Sequence, residues 1–308
     1  MAGENGALEE LGVQVRNIQE TIGFWAVINH GVAWKKLEET YKQLKQFFAL
    51  PNEEKRRYLI NELSIGYVPP KSTKYITSII NENTKKDLNE TLITALERPP
   101  DHHLIKAGTR FVGPNQWPEG LPGFRDAIVS YQQDILRLGR KLLPIFSVAL
   151  ELPPSYFDQY FTDPVMWSRN AHYPAEVPEK NQYGISPHSD HSFLTMLPTA
   201  EVPGLQILSQ NGNWIDAKYI DKGILVNTGE FLNRWTNGRF IPTPHRVVPP
   251  EKDRYSIATF FNPSPETVAV PLSTCCSEAN PPRYEPMSLI DYVCWYIDTN
   301  YQRDAGGK

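Results

Sequence analysis

Residues 186–197, SPHSDHSFLTML, place His188 and Asp190 two apart in a run that otherwise reads as strand. The pair could be one edge of a metal site, a fragment of a Ser/His/Asp hydrolase, or polar decoration on a loop. The surrounding chain narrows the choice. From about residue 163 the hydrophobic pattern has a period of two, with candidate strands at 166–173, 185–189, 192–197, 204–208, 214–216, 223–227, 244–248 and 254–262. Turn signals separate them: Asn211-Gly212, Asn237-Gly238 and Glu251-Lys252-Asp253. Eight or so short strands without βαβ alternation predict a sandwich or a jelly-roll barrel.

Side chains two apart on a strand share a face, so His188 and Asp190 are expected to project together into that barrel, with Ser189 on the opposite face. His245 follows in a second strand-like run, TPHRVV at 243–248. Two imidazoles and one carboxylate form a facial triad that leaves three positions open on an octahedral metal, which suits non-haem Fe(II). The run RYSIATF at 254–260 alternates strictly and puts Arg254, Ser256, Ala258 and Phe260 on one face. An inward arginine in a barrel is costly unless it meets an anion, and the nearby sequence offers no obvious carboxylate partner. A guanidinium with a hydroxyl two residues on is a fork for a ligand carboxylate. Open metal positions and a carboxylate clamp one strand away describe a 2-oxo acid that chelates iron at one end and is anchored at the other.

Helices frame this β segment. Trp34, Leu37, Tyr41, Leu44, Phe47 and Phe48 recur at helical spacing up to Pro51, and Asn52-Glu53-Glu54-Lys55 looks like the start of another helix. The longest helical pattern runs over 121–150, where Pro144 predicts a kink or a split. Residues 286–301 read as a closing helix. The formal net charge of −4 is spread along the sequence, which argues against a nucleic-acid or anionic-membrane partner. The start, MAGENGALEELG, lacks the basic and apolar parts of a signal peptide, and no apolar run approaches the ~20 residues of a spanning helix. Cys275, Cys276 and Cys294 form no CxxC, which suits a reduced cytoplasmic protein. We expect one catalytic unit, with a mostly helical region over 1–160, a jelly-roll core over 161–270 and a C-terminal helical segment over 271–308.

These residues resemble the 2-oxoglutarate- and Fe(II)-dependent dioxygenases of the isopenicillin N synthase-like family, over nearly the whole chain. GFWAVINHGV at 23–32 is like that family's GFF-x-V-x-NHG, and DLNET at 87–91 is like its D-x-x-E-x-F. Further landmarks are Trp117-Pro118, Tyr173-Pro174, His188-Ser189-Asp190, Gly204-Leu205-Gln206, Asn237-Gly238-Arg239, His245-Arg246-Val247 and Arg254-Tyr255-Ser256. The resemblance implies a double-stranded β-helix, with His188, Asp190 and His245 on iron. It implies that Arg254 and Ser256 bind the distal carboxylate of 2-oxoglutarate, with Tyr173 as a third contact. The implied reaction consumes 2-oxoglutarate and O2, with ascorbate as a possible reductant, and releases succinate and CO2. It hydroxylates, desaturates or cyclises a small organic molecule, in specialised metabolism, and the enzyme is expected to be a monomer. Two departures stand out. The family's opening strand, I-P-x-I-D, has no counterpart before Gly23, and Ala171 replaces the asparagine of a common Asn-x-Tyr-Pro.

Other readings explain less. Zinc hydrolysis would leave Arg254 without a purpose, and a serine hydrolase needs a G-x-S-x-G elbow, which we do not find. An oxidase of the isopenicillin N synthase or aminocyclopropanecarboxylate oxidase type would use the same residues without 2-oxoglutarate. A silent ligand-binding relative would not need the intact triad. Substrate contacts are sought in the segment 64–80 and at Asn89, Thr91, Phe231 and Arg234. The named candidates are Tyr67, Lys74, Tyr75, Thr91, Phe231 and Phe260. His172 and His191 are expected to face away from the site, His30 to be structural, and His102 and His103 to be solvated.

Overall fold

A computed structural model describes residues 6–76 and 84–303 of the 308-residue chain. The stretch before Gly23 forms a helix, α1 (Ala7–Gln19). Then follow β1 (Phe24–Val27), α2 (Trp34–Phe48), α3 (Asn52–Lys55), β2 (Gly66–Val68), β3 (Thr73–Tyr75), β4 (Glu90–Ala95), α4 (His103–Lys106) and α5 (Phe124–Ala149). The second half supplies β5 (Met166–Tyr173), β6 (Ile185–His188), β7 (Leu194–Pro198), β8 (Leu205–Leu208), β9 (Trp214–Asp216) and β10 (Ile224–Thr228). It continues with α6 (Glu230–Trp235), β11 (His245–Val247), β12 (Arg254–Phe261), β13 (Val268–Ala269), β14 (Met287–Ser288), α7 (Leu289–Asn300) and β15 (Tyr301–Arg303).

Two antiparallel sheets make the jelly roll. One has the order β1-β10-β7-β12-β5-β4-β2, the other β6-β11-β8-β9. Three strands of the larger sheet, β1, β2 and β4, come from the first 95 residues. All six residues of β4 are buried, so the strand carries no polar alternation that would reveal it in the sequence. A small apolar cluster of Ala171, Tyr173, Ile185, Leu205, Leu225 and Val247 joins the inner faces of both sheets. The large core lies on the other face of the larger sheet, beneath α5.

Helix α5 buries Phe124, Ile128, Tyr131, Ile135, Leu138, Leu142, Ile145 and Phe146, the 3.6-residue stripe legible in its sequence. It is one helix of 26 residues that runs through Pro144. The expected split does not occur, because the bond lost at Pro144 would have gone to the carbonyl of Arg140, a residue on the solvent side. Gly139 lets β12 approach, since a Cβ there would lie 2.9 Å from the Phe261 ring. Asp134 of α5 accepts from Ala33 N at 3.0 Å and from Lys36 Nζ at 2.9 Å, closing the N-terminus of α2, which has no side-chain cap of its own.

Behind the sheet, a buried polar cluster fastens the helical front to the barrel. Lys55 Nζ donates to Glu90 Oε2 at 2.7 Å and to the Phe48 carbonyl at 3.0 Å. The Tyr67 hydroxyl donates to the same carboxylate at 2.5 Å, and His172 Nδ1 meets Oε1 at 2.8 Å. Burial works against the Glu90 charge, but the bonds from His172, Lys55 and Tyr67 outweigh it and hold the carboxyl below its ordinary 4.5. Lys55→Met strands that charge and is expected to cost about 3 kcal/mol of stability in a urea melt at pH 7. Glu90 titrates lower in the folded than in the unfolded chain. Its contribution is therefore complete above pH 4.5 and lost as pH falls through the folded value. The gap between wild type and variant should thus narrow in acid; a gap that widens would mean that Glu90 is not stabilised as an anion.

Candidate active site

Strand β6 ends at His188, and residues 189–193 leave the sheet as a loop before β7 begins. His188 closes the strand, Asp190 lies two residues on, and both line the same cavity, as their spacing predicts. His245, on β11, lies directly across from His188 in the register. The ligand atoms of His188, Asp190 and His245 all fall within 4.8 Å of one another, and all three residues are buried. Asp190 Oδ1 lies 3.9 Å from His188 Nε2 and 3.7 Å from His245 Nε2.

Each of the three is held by a group behind it. His188 Nδ1 bonds the Ser186 carbonyl at 2.8 Å and His245 Nδ1 bonds the Thr243 carbonyl at 3.1 Å, so both rings donate there and turn Nε2 lone pairs inward. Burial and the neighbouring His245 ring push the His188 imidazole far below its ordinary value, keeping it neutral, as a metal ligand must be. Asn227 Nδ2 donates to Asp190 Oδ2 at 2.7 Å and leaves Oδ1 for the centre. Burial opposes the Asp190 charge, but His245, His188 and Asn227 together hold its carboxyl low. The loop itself is clamped: Tyr296 of α7 donates to the Ser189 carbonyl at 2.8 Å, and Glu230 N donates to the Asp190 carbonyl at 2.8 Å. Gly229 allows that last contact, because a Cβ there would collide with the Ser192 carbonyl. Asn227→Ala is expected to weaken Fe(II) binding by roughly 10–100-fold in a competition titration, the usual effect of losing such an outer partner.

Arg254 and Ser256 line the same cavity as the triad. Arg254 is 3% exposed, yet its Nε and Nη1 have no hydrogen-bond partner. Its guanidinium carbon lies 5.0 Å from the centre of the Tyr173 ring, the residue opposite it in the register. Unpaired buried donors on a cation fit an anionic ligand. The donor set thus suits both Fe(II) and the distal carboxylate of a 2-oxo acid.

The six substrate candidates divide. Tyr75 lines the cavity and stacks on His188 at 4.5 Å with 14° between the rings, and Phe260 forms another wall. Thr91 is buried beside Ala171, with an unpartnered hydroxyl. Tyr67 and Phe231 do not line the cavity: Tyr67 is in the core and spends its hydroxyl on Glu90, while Phe231 packs on Trp235 and Tyr292. Lys74, on β3 opposite Gln302, is not among the cavity residues either. Arg234 lies over the rings of Tyr284 and Tyr292. Residues 77–80 of the segment 64–80 lie outside the described residues. His191 departs from expectation because its strand has already ended: its ring sits 4.9 Å from Phe260 and 5.5 Å from Trp167, against the cavity wall. His172 faces the cluster behind the sheet, and His30 bridges Val32 N and the Lys222 carbonyl. His103 is exposed, while His102 is half-buried near Asp163.

Asn227 and Arg169 are among the cavity residues that escaped the sequence analysis. Asn227 follows an apolar run that reads as plain core. Arg169 shares the inner face of β5 with Tyr173, so the alternation Trp167, Arg169, Ala171, Tyr173 was the signal that could have exposed it.

Comparison with known proteins agrees with this geometry. Residues 164–263 match the 2OG-Fe(II) oxygenase superfamily, and residues 3–120 match the N-terminal region of non-haem dioxygenases in morphine synthesis. The chain is 34% identical to a kihadalactone A synthase of Citrus sinensis over 282 residues, covering 88% of this chain and 82% of that one. It is 31% identical to a 2-oxoglutarate-Fe(II) type oxidoreductase of Emericella nidulans over 317 residues, covering 99% and 89%. Its structure is similar to that of a full-length Neurospora crassa protein in complex with alpha-KG (2-oxoglutarate), with a TM-score of 0.83, 26% identity and coverage of 96% and 93%. Triad, arginine clamp and jelly roll thus occur in a chain whose relatives use 2-oxoglutarate, which decides against the oxidase that would dispense with it: the chain belongs to the 2OG-Fe(II) oxygenase superfamily and is an Fe(II)- and 2-oxoglutarate-dependent oxygenase of a small molecule.

Proposed function

We propose that His188, Asp190 and His245 hold the iron, and that Arg254 and Ser256, beside Tyr173, take the distal carboxylate of 2-oxoglutarate. On this reading the enzyme hydroxylates a C–H bond of a small organic molecule lying against Tyr75 and Phe260. The observation that carries it is the pair of unpartnered donors on a buried Arg254 in the cavity of the triad. The relatives' names, among them a kihadalactone A synthase, support a substrate from specialised metabolism.

Bound Fe(II), with 2-oxoglutarate and O2, supplies the oxidising power for C–H cleavage and leaves succinate and CO2. The protein's own share is positioning and the exclusion of water. Nδ1 bonds to two carbonyls fix the imidazoles, and Asn227 fixes the carboxylate. Arg254 and Ser256 set the direction from which the 2-oxo acid reaches the centre. Phe24, Ile185, Leu205, Val247 and Ala258 give the cavity apolar walls, where an oxidant would find little to attack other than the substrate.

Anaerobic addition of Fe(II) and 2-oxoglutarate is expected to give a weak visible charge-transfer band, and a substrate screen should find succinate released in step with O2 consumed. No band, or O2 uptake without succinate, would overturn the assignment.

A further inference from the structure

Arg169 is a second cation in the cavity, and among the described residues it makes no ion pair. It sits on the inner face of β5 opposite Ala258, two inner positions from Tyr173. At about 3.3 Å per residue, its Cα stands about 13 Å along the strand from that of Tyr173, towards the Phe260 end of the cavity. Among the described residues its hydrogen-bond partner is neutral: Nη2 donates to Asn89 Oδ1 at 2.8 Å. Asn89 is itself fixed, because its Nδ2 donates to the Gly184 carbonyl. An amide oxygen orients a guanidinium but does not neutralise it. The nearby anion is the buried carboxyl of Asp87: it feels the Arg169 charge, takes the Ser186 amide at 2.8 Å and hydroxyl at 2.6 Å on Oδ1, and leaves Oδ2 without a hydrogen-bond partner, but it makes no ion pair with Arg169.

Charge counting then leaves room for one more anion beside Arg169. Fe(II) with the Asp190 carboxylate leaves one positive charge, and Arg254 brings a second. Doubly charged 2-oxoglutarate cancels both, so among the described residues Arg169 keeps only Asp87 as a counter-charge, without an ion pair, in a cavity with apolar walls. Such a charge is costly there unless a ligand pairs with it. Tyr75 and Phe260 supply aromatic surface in the same cavity for a carbon skeleton.

We propose that the substrate is a small organic acid and that Arg169, braced by Asn89, takes its carboxylate while Tyr75 and Phe260 hold its carbon skeleton beside the iron ligands. This rests on the assignment of Arg254 to 2-oxoglutarate. A carboxylate meets the fork of Arg169 with charge-assisted bonds that a methyl ester cannot reproduce. The substrate would thereby be oriented by its acid end, with the oxidised carbon fixed by its distance from that end.

The test uses the full chain loaded anaerobically with Fe(II) and 2-oxoglutarate. A panel of cyclic and aromatic monocarboxylic acids, each beside its methyl ester, is titrated while the charge-transfer band is followed, and succinate release is measured after O2 is admitted. Acids are expected to shift the band and to drive succinate release, with their esters about 100-fold weaker, the effect of losing a buried charge-assisted pair. Arg169→Met should weaken the acids by a similar factor, and Arg169→Lys should recover part of the loss. The KM for 2-oxoglutarate should stay within about threefold in both, and an unchanged thermal midpoint shows that the variants fold. Esters or other neutral compounds binding as well as the acids would overturn the proposal, as would Arg169→Met leaving acid binding intact. A rise in the 2-oxoglutarate KM of Arg169→Met to match its loss of acid binding would overturn it differently. Arg169 would then serve the co-substrate, in place of the asparagine that Ala171 lacks. A wild-type protein that gives no band at all would sink the oxygenase assignment, and the substrate class with it.

Discussion

Asp190→Ala is expected to remove Fe(II)-dependent succinate release altogether, a loss far beyond the ~100-fold that an outer partner such as Asn227 costs. Asp190 is the one carboxylate of the triad, and its Oδ1 faces both Nε2 atoms at under 4 Å. Two neutral imidazoles alone bind a divalent cation of low softness poorly, and the variant has no anion with which to offset its charge. The fold should survive, because the loop around residue 190 is also held through backbone carbonyls, by Tyr296 and by Glu230 N. The check is iron content after gel filtration, beside turnover and a circular dichroism spectrum. A folded Asp190→Ala protein that retains stoichiometric iron and turnover would place the metal elsewhere.

The triad was legible in the sequence through the two-residue spacing at a strand end. His188 ends β6, Asp190 lies just beyond it, and both line one cavity, so the two-residue spacing carries across the strand end. His245 was legible from its strand-like run, although the pairing of β11 with β6 shifts register after it, and the Arg254/Ser256 pair because β12 pairs without a shift and Arg254 has no plausible role in an apolar core. What stayed hidden is set by tertiary contacts. Strand β4 is buried on both faces and has no period to detect, and Tyr67 looked available until Glu90 and Lys55 closed around it. Phe231 sits one residue beyond Glu230, at the loop of the site, yet its ring turns into the core of α6 and α7. Arg169 shares a face with Tyr173, but its strand also alternates polar residues on the other face, Ser168, Asn170 and His172, so its charge does not stand out in the sequence.

Arg254→Met separates binding from stability, because the two effects should have opposite signs. In the wild type, the guanidinium is buried with two donors unpaired. Replacing it with a side chain of similar length removes an uncompensated charge, so the protein without co-substrate should melt no lower than wild type, and higher if the cavity stays dry. Co-substrate binding should suffer heavily. Two charge-assisted hydrogen bonds at ~1.5–3 kcal/mol each amount to roughly a 10³-fold rise in the KM for 2-oxoglutarate. Arg254→Lys keeps the charge but not the fork, and should fall between the two. Ligand-linked stabilisation gives a second reading of the same loss. At 2-oxoglutarate 100 times its Kd, the wild type gains about 2.7 kcal/mol against unfolding, whereas the Met variant at that concentration should gain almost nothing. An Arg254→Met protein that melts lower than wild type and still responds to 2-oxoglutarate would show that Arg254 is a structural cation with a protein partner, and that the carboxylate clamp lies elsewhere in the cavity.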